Sequence, residues 1–245
     1  MIVSHLQTVS NALDILTALG KSDDYLSVEK IAEYLKVPES TTYRLLQTLE
    51  AKGFVERHSR NNIGLGSSLL SLSRNIHDKL DKELALIANP WLEKITEESR
   101  ETSILSIRTD IYSKCIKSVS SQYIIRFVAE NDRLLKLNVG ASSKAILAFE
   151  KERVIKSVLD TLSGKEEQEA LLKELEEIRE KGYAVSSSEY DLGAVGFGVP
   201  VFNSLGQIYA SLAIVGPDTR LKIEDRDHYV ELLQTASQDI TSKLR

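Results

Sequence analysis

Apolar positions recur every three or four residues through the first hundred residues, and that spacing predicts a run of amphipathic helices. Val9, Ala12, Leu13, Leu16 and Leu19 mark one helix over 8–19. Val28, Ile31, Ala32 and Leu35 mark a second, which Lys36-Val37-Pro38 interrupts because proline disfavours helical geometry in the residue before it. Thr42, Leu45, Leu46 and Leu49 form the inner stripe of a third helix starting near Ser40, and Ser40, Tyr43, Arg44 and Gln47 form its outer stripe. Gly53 is placed to end that helix, with Lys52 at its negative end. A strand over 54–58, a polar turn Ser59-Arg60-Asn61-Asn62 and a returning Ile63-Gly64-Leu65 then predict a hairpin.

Two short helices, a turn and a hairpin beside the second helix describe a winged helix-turn-helix. An α-helix fits the major groove of DNA, and a polar outer face can meet base edges and phosphates. All four outer-stripe residues can donate hydrogen bonds, and Arg44 carries fixed charge. Ser40, Thr41, Tyr43, Arg44 and Gln47 are the candidate groove residues, and Arg57, His58 and Arg60 the candidate wing contacts. The bland alternative is a helical subdomain with a solvated polar face.

The stretch VPESTTYRLLQTLEAKGFVER resembles the recognition-helix signature of the IclR family of bacterial transcription regulators. The likeness extends upstream into VSNALDILTAL, downstream through LGSSLLSL, and into the C-terminal half. It implies double-stranded, pseudo-palindromic DNA as partner, a small organic effector, a homodimer or a pair of dimers, and no cofactor or metal. It also implies departures: relatives commonly carry arginine where Asn11 stands and a basic residue where Gly64 stands.

At 245 residues, two domains of ordinary size are expected. The divisions are a DNA-binding domain over 1–66, a linker helix over 67–82 and an effector and oligomerisation domain over 83–245. The net charge of −5 excludes a generally basic nucleic-acid coat. Residues 1–65 hold seven Lys/Arg against eight Asp/Glu, a net of −1, whereas residues 40–60 hold four against two, a net of +2. Local placement carries any phosphate attraction, since such contacts act at short range. A single cysteine, Cys115, excludes an intrachain disulfide and suits a reducing cytoplasm. The absence of a long apolar run near the N-terminus argues against a signal peptide, and no stretch reaches the length of a membrane span.

From Thr102 the period changes. Strands are expected over 102–107, 112–119 and 124–128, a short extended piece over 134–139, and helices over 141–149, 151–162 and 165–181. In the last of these, Leu171, Leu172, Leu175 and Ile178 are expected to point inward. A hairpin over 196–203 and 207–215 and a final helix over 225–244 complete the chain. Helices over 67–80 and 84–99, the latter broken or started at Asn89-Pro90, precede this region. The fold class is α+β, and the C-terminal half is similar to the GAF/PAS-like antiparallel-sheet effector domain of IclR regulators.

The resemblance further implies an effector pocket built from Asn138, Gly140, Ala141, Ser142, Ser186, Gly196, Phe197, Ala213 and Val215. Relatives that bind small carboxylates usually carry polar residues where Gly196, Ala213 and Val215 stand, and often an acid where Ser186 stands. The expected effector is therefore larger and more apolar than glyoxylate or pyruvate, such as an aromatic acid, with its acid group near 140–143. A filled pocket that binds nothing is the alternative.

No enzyme constellation emerges. His5, His58, His77 and His228 are scattered without zinc spacing, and no histidine neighbours Cys115 in sequence. The run from Gly193 to Gly198 is GxxGxG, outside any βαβ unit. Two rivals stand beside the regulator: a metabolite-sensing or protein-interaction module that has lost DNA binding, and a hydrolase built on the C-terminal half, for which no catalytic group is evident.

Overall fold

The structure, a computed structural model, describes residues 6–22, 24–59, 61–130 and 133–244. The chain forms two compact units that divide at Leu80/Asp81.

The first unit holds α1 (Gln7–Lys21), α2 (Val28–Leu35), α3 (Glu39–Ala51), the antiparallel pair β1 (Val55–Ser59) and β2 (Asn62–Leu65), and the beginning of α4 (Ser68–Ser99). Ser27 caps α2 by accepting a hydrogen bond from Lys30 N, and Lys36 ends it in a left-handed conformation. Ile15, Leu19, Val28, Ile31, Leu45, Leu46, Val55 and Ile63 form one core. The expected α2 and α3 stripes are the buried ones, with Leu35 and Leu49 partly buried at its edge. In α1 the stripe is turned: Asn11, Ile15, Ala18 and Leu19 are buried, while Val9 and Leu13 are exposed. Both readings keep helical spacing, and Ile15, outside the predicted stripe, is the residue that fills the space against α2 and α3.

Helix α4 is continuous, in place of the two helices expected over 67–80 and 84–99, with Pro90 inside it. Proline removes one helical hydrogen bond, and Pro90 lies on the exposed side, where water can satisfy the freed carbonyl.

The second unit is a six-stranded antiparallel sheet in the order β5-β4-β3-β8-β7-β6, built from β3 (Thr102–Thr109), β4 (Tyr112–Val119), β5 (Leu134–Lys136), β6 (Ala184–Ser187), β7 (Ala194–Phe202) and β8 (Ile208–Pro217). On one face Leu105, Phe197, Val199, Leu212 and Ile214 pack with residues of α4 from Leu84 onward and of α8 (Arg226–Lys243). Beyond the other face lie α5 (Ala141–Leu147), α6 (Glu152–Leu159) and α7 (Lys165–Lys181), sharing a second core around Leu137, Ile146, Leu175 and Ile178. Leu172 is exposed rather than inward. At Gly198 of β7 an added Cβ would sit 2.6 Å from the Ala141 carbonyl oxygen, so only glycine allows α5 to lie this close to the sheet.

The strand expected over 124–128 is absent. Residues 120–130 instead form a strap tied by side chains: Thr102 Oγ1 donates to the Phe127 carbonyl (2.7 Å), Ser121 Oγ to the Arg100 carbonyl (2.6 Å), and Arg220 Nη2 to the Ile125 carbonyl (3.0 Å). Arg220 is itself held by the buried Glu101 carboxylate. Ile124 is 95% exposed, the opposite of a packed strand residue.

Candidate functional site

Helix α3 presents Ser40, Thr41, Tyr43, Arg44 and Gln47 to solvent, while Thr42, Leu45 and Leu46 are buried beneath them. The polar face is therefore available along more than two turns. Arg44 makes no ion pair with the described residues.

The wing is arranged differently from a row of free cations. Arg57 turns back over α3: its Nε lies 3.5 Å from Glu50 Oε2, and its guanidinium stands 5.7 Å from the Tyr43 ring centroid. His58 Nε2 lies 2.7 Å from Glu56 Oε1, and its ring is 4.2 Å from that of Tyr25. Arg60 lies outside the described residues. Gly64 faces the same tyrosine, and an added Cβ would meet the Tyr25 ring at 2.9 Å. Tyr25 thus takes the space that a side chain at position 64 would need.

In the second unit a cavity of about 90 Å³ lies between the sheet, the start of α5 and the strap. Its floor follows the register of the sheet. Ser186, Gly196, Val215 and Thr102 are cross-strand neighbours, as are Ser211, Ser106 and Cys115 four residues further along β3. Of these, Ser186, Val215, Ser106 and Cys115 line the cavity, together with Ile104 and Ser113. Phe127 and Tyr190 close it from above, edge to face at 5.6 Å, and Arg133 stands over the Tyr190 ring at 5.1 Å. Ser113 Oγ and Ser143 Oγ are 2.6 Å apart, and Ser142 Oγ and Ser211 Oγ 2.8 Å apart.

Known proteins carry the same architecture. The IclR helix-turn-helix domain matches residues 8–59, and the C-terminal domain of bacterial transcriptional regulator IclR matches residues 79–242. The chain belongs to the IclR family of bacterial transcriptional regulators. The HTH-type transcriptional repressor AllR of Escherichia coli K12 is 28% identical over 97% of this chain and 90% of its own length. The Thermotoga maritima IclR structure is 28% identical, with a TM-score of 0.62 over 98% of this chain and 99% of that one. An IclR homologue from Microbacterium hydrocarbonoxydans, complexed with 4-hydroxybenzoate, has the same fold at 21% identity, with a TM-score of 0.62 over 97% and 99% of the two chains. This IclR chain is thus a DNA-binding transcriptional regulator of the α+β architecture expected from its sequence.

Within the IclR fold, five of the nine expected effector residues line the cavity: Gly140, Ala141, Ser142, Ser186 and Val215. The other four do not. Phe197 points to the opposite face, stacked on Tyr229 at 5.5 Å. It follows Gly196 directly on a strand, so the two cannot share a face. An added Cβ at Gly196 would meet Ser186 Oγ at 3.0 Å and Val215 Cγ2 at 3.5 Å, so its neighbours cover it. Ala213 is buried beneath α5, and Asn138 Oδ1 is buried without a hydrogen-bond partner among the described residues. Sequence reasoning missed Ser106, Ser113 and Cys115 on the floor and wall, and Tyr190, Glu130 and Arg133 at the mouth, while Ser143 falls within the expected acid seat at 140–143. The alternation Ile104-Leu105-Ser106 was the available signal for the first of these.

The expected seat for an effector's acid group is filled from within. Gly140 N–H donates to Glu189 Oε2 at 2.9 Å, and Lys144 Nζ donates to Glu189 Oε1 at 2.6 Å and to Glu174 Oε1 at 2.5 Å. Among the described residues no cluster of three or more His, Cys, Asp or Glu is arranged to hold a metal ion, and no helix is long and apolar enough to cross a membrane.

Proposed function

We propose that this IclR regulator reads its operator through Ser40, Thr41, Tyr43, Arg44 and Gln47 of α3, and that a small organic acid in the second-unit cavity modulates operator affinity. The observation that carries the DNA reading is the division of α3: the five polar residues are exposed and the residues between them are buried. Arg44 is the base or phosphate contact, and Arg57 and His58 support it from the wing after exchanging their present carboxylate partners for phosphate. The working form is a homodimer, itself able to pair, acting in the cytoplasm on a pseudo-palindrome. Leu13, Leu72 and Ile76 support dimer formation, because they line an open apolar groove along α1 and the first part of α4. The largely apolar cavity, open at a rim that carries Arg133, supports the effector reading, as does the 4-hydroxybenzoate bound by the Microbacterium relative. Modulation requires that the effector bind the two conformational states with different affinity.

Fluorescence anisotropy with DNA from upstream of the protein's own gene tests this at two salt concentrations. Selective binding should weaken with salt, and Arg44→Ala should reduce it by roughly 1–3 kcal/mol for a base contact, or lower the salt slope by about one for a phosphate contact. If folded protein shows no selectivity across genomic fragments, a sensor that has lost DNA binding becomes the better reading.

A further inference from the structure

Two serine hydroxyls lining the cavity, those of Ser106 and Ser186, lack a side-chain partner among the described residues, and Ser106 is the more deeply buried of the two. Ser106 is 5% exposed, lines the cavity, and makes no side-chain hydrogen bond to the described residues. Ser113 and Ser143 satisfy each other, and Ser142 is satisfied by Ser211. Asn138 Oδ1 is the only fully enclosed side-chain polar atom without a partner among the described residues, so the Ser106 oxygen opens to the cavity, where a hydroxyl can both donate and accept. On the floor of a cavity, it marks where a ligand oxygen would bond.

Charge is placed at the other end. Arg133 is the only cationic side chain among the described lining residues, and its side chain is 54% exposed, so it stands at the rim. Its pairing with Glu130 at 3.4 Å is exposed and weak, and the stack on Tyr190 leaves guanidinium N–H groups for another acceptor. A ligand carboxylate at residues 140–143 would instead meet the negative charge of Glu189, which already occupies Gly140 N–H and Lys144. Ile104 and Val215 make the floor around Ser106 apolar, and Phe127 and Tyr190 cover the space between floor and rim. A cavity of about 90 Å³ suits a compact ligand rather than an extended one.

We infer that the effector is a compact monocarboxylate with a second oxygen function at its far end, bound with the carboxylate at Arg133 on the rim and the distal oxygen on Ser106 at the floor. This rests on the effector reading above and adds the ligand class and its direction. The distal oxygen is a hydroxyl or a carbonyl, because a serine hydroxyl both donates and accepts.

Calorimetry on the full chain tests it with two matched pairs, 4-hydroxybenzoate against benzoate and 4-oxopentanoate against pentanoate, and with 4-hydroxybenzamide as the uncharged control. At least one oxygenated acid should bind roughly five- to tenfold more tightly than its partner, and Ser106→Ala should erase that advantage. The pair that shows it separates hydroxyl from carbonyl. Arg133→Gln should weaken the acids about three- to tenfold and leave the amide unchanged, while Glu130→Gln should tighten the acids by removing a like charge. Ser106→Ala removes an unpaired hydroxyl and Arg133 is at the surface, so both variants should fold, which thermal melts will verify. Acid affinity unchanged in Arg133→Gln, or an oxygen advantage that survives Ser106→Ala, overturns the orientation while leaving the effector reading intact. Failure of all five compounds to bind folded wild type removes the effector reading with it.

Discussion

Glu189 and Lys144 form a buried contact at the start of α5, with Lys144 Nζ 2.6 Å from one Glu189 oxygen while Gly140 N–H donates to the other. Lys144 is 2% exposed, and Glu174 is its second partner. A buried ammonium is tolerated only when paired. The contact ties the loop carrying Tyr190 to α5, so it shapes the cavity as well as stabilising the domain. Lys144→Met should cost about 2–3 kcal/mol in urea denaturation, below the usual loss for a fully buried pair because both glutamates reach solvent. Glu189→Gln should cost less, since the amide oxygen still accepts from Gly140 and Glu174 still neutralises Lys144. Equal losses in the two variants would contradict this division.

The recognition face gives a prediction of opposite sign. Glu50 lies at the end of α3 and holds Arg57 at 3.5 Å. On DNA its charge opposes nearby phosphates and competes for the arginine. Glu50→Gln should tighten operator binding about two- to fivefold at low salt and steepen the salt dependence, because one more cation becomes available to release counterions. Affinity unchanged at both salt concentrations would show that Arg57 does not contact the backbone.

The α2–α3 pair was legible in sequence because burial follows a period that composition preserves: Thr42, Leu45 and Leu46 are where 3.6-residue spacing puts them. The cavity was less legible because it depends on sheet register. Ser106 and Cys115 become neighbours only through the irregular β3–β4 pairing, which skips Ile116, and nothing local announces that step. The strap was misread for a related reason. Its run Tyr123-Ile124-Ile125-Arg126-Phe127-Val128 has strand composition, yet β4 pairs with β5 instead, and contacts from Thr102 and Arg220 hold the strap in place. Pro90 was read as a break because local propensity suggests one, whereas packing of Leu84, Ala88, Leu92 and Ile95 on either side keeps α4 whole.

Gly198 tests how closely α5 must approach the sheet. Gly198→Ala places a methyl group against the Ala141 backbone, which cannot rotate away as a side chain can. The substitution should cost about 1–3 kcal/mol and shift α5 outward, weakening effector binding, while leaving the α2–α3 unit unaltered. A melt indistinguishable from wild type would mean that α5 has slack the close contact does not suggest.

Trp91 provides a pH test of the α4–α8 contact. Its indole Nε1 donates to Asp239 Oδ2 at 2.5 Å, and Lys243 Nζ contacts the same oxygen at 2.6 Å. The Lys243 hydrogen bond, followed by that from Trp91, holds the Asp239 carboxyl below the ordinary aspartate range. A depressed carboxyl contributes stability that is fully present above its unfolded-state pKa and lost as pH falls through the lower folded-state value. Because Trp91 is the only tryptophan in the sequence, its emission reports this site directly. Emission should stay constant from neutral pH through the ordinary aspartate range and change only below it. Lys243→Met should move that step upward, and Asp239→Asn should abolish it while leaving the fold intact at neutral pH. If the acid step persists in Asp239→Asn, the emission change reports general acid unfolding and not the loss of this contact.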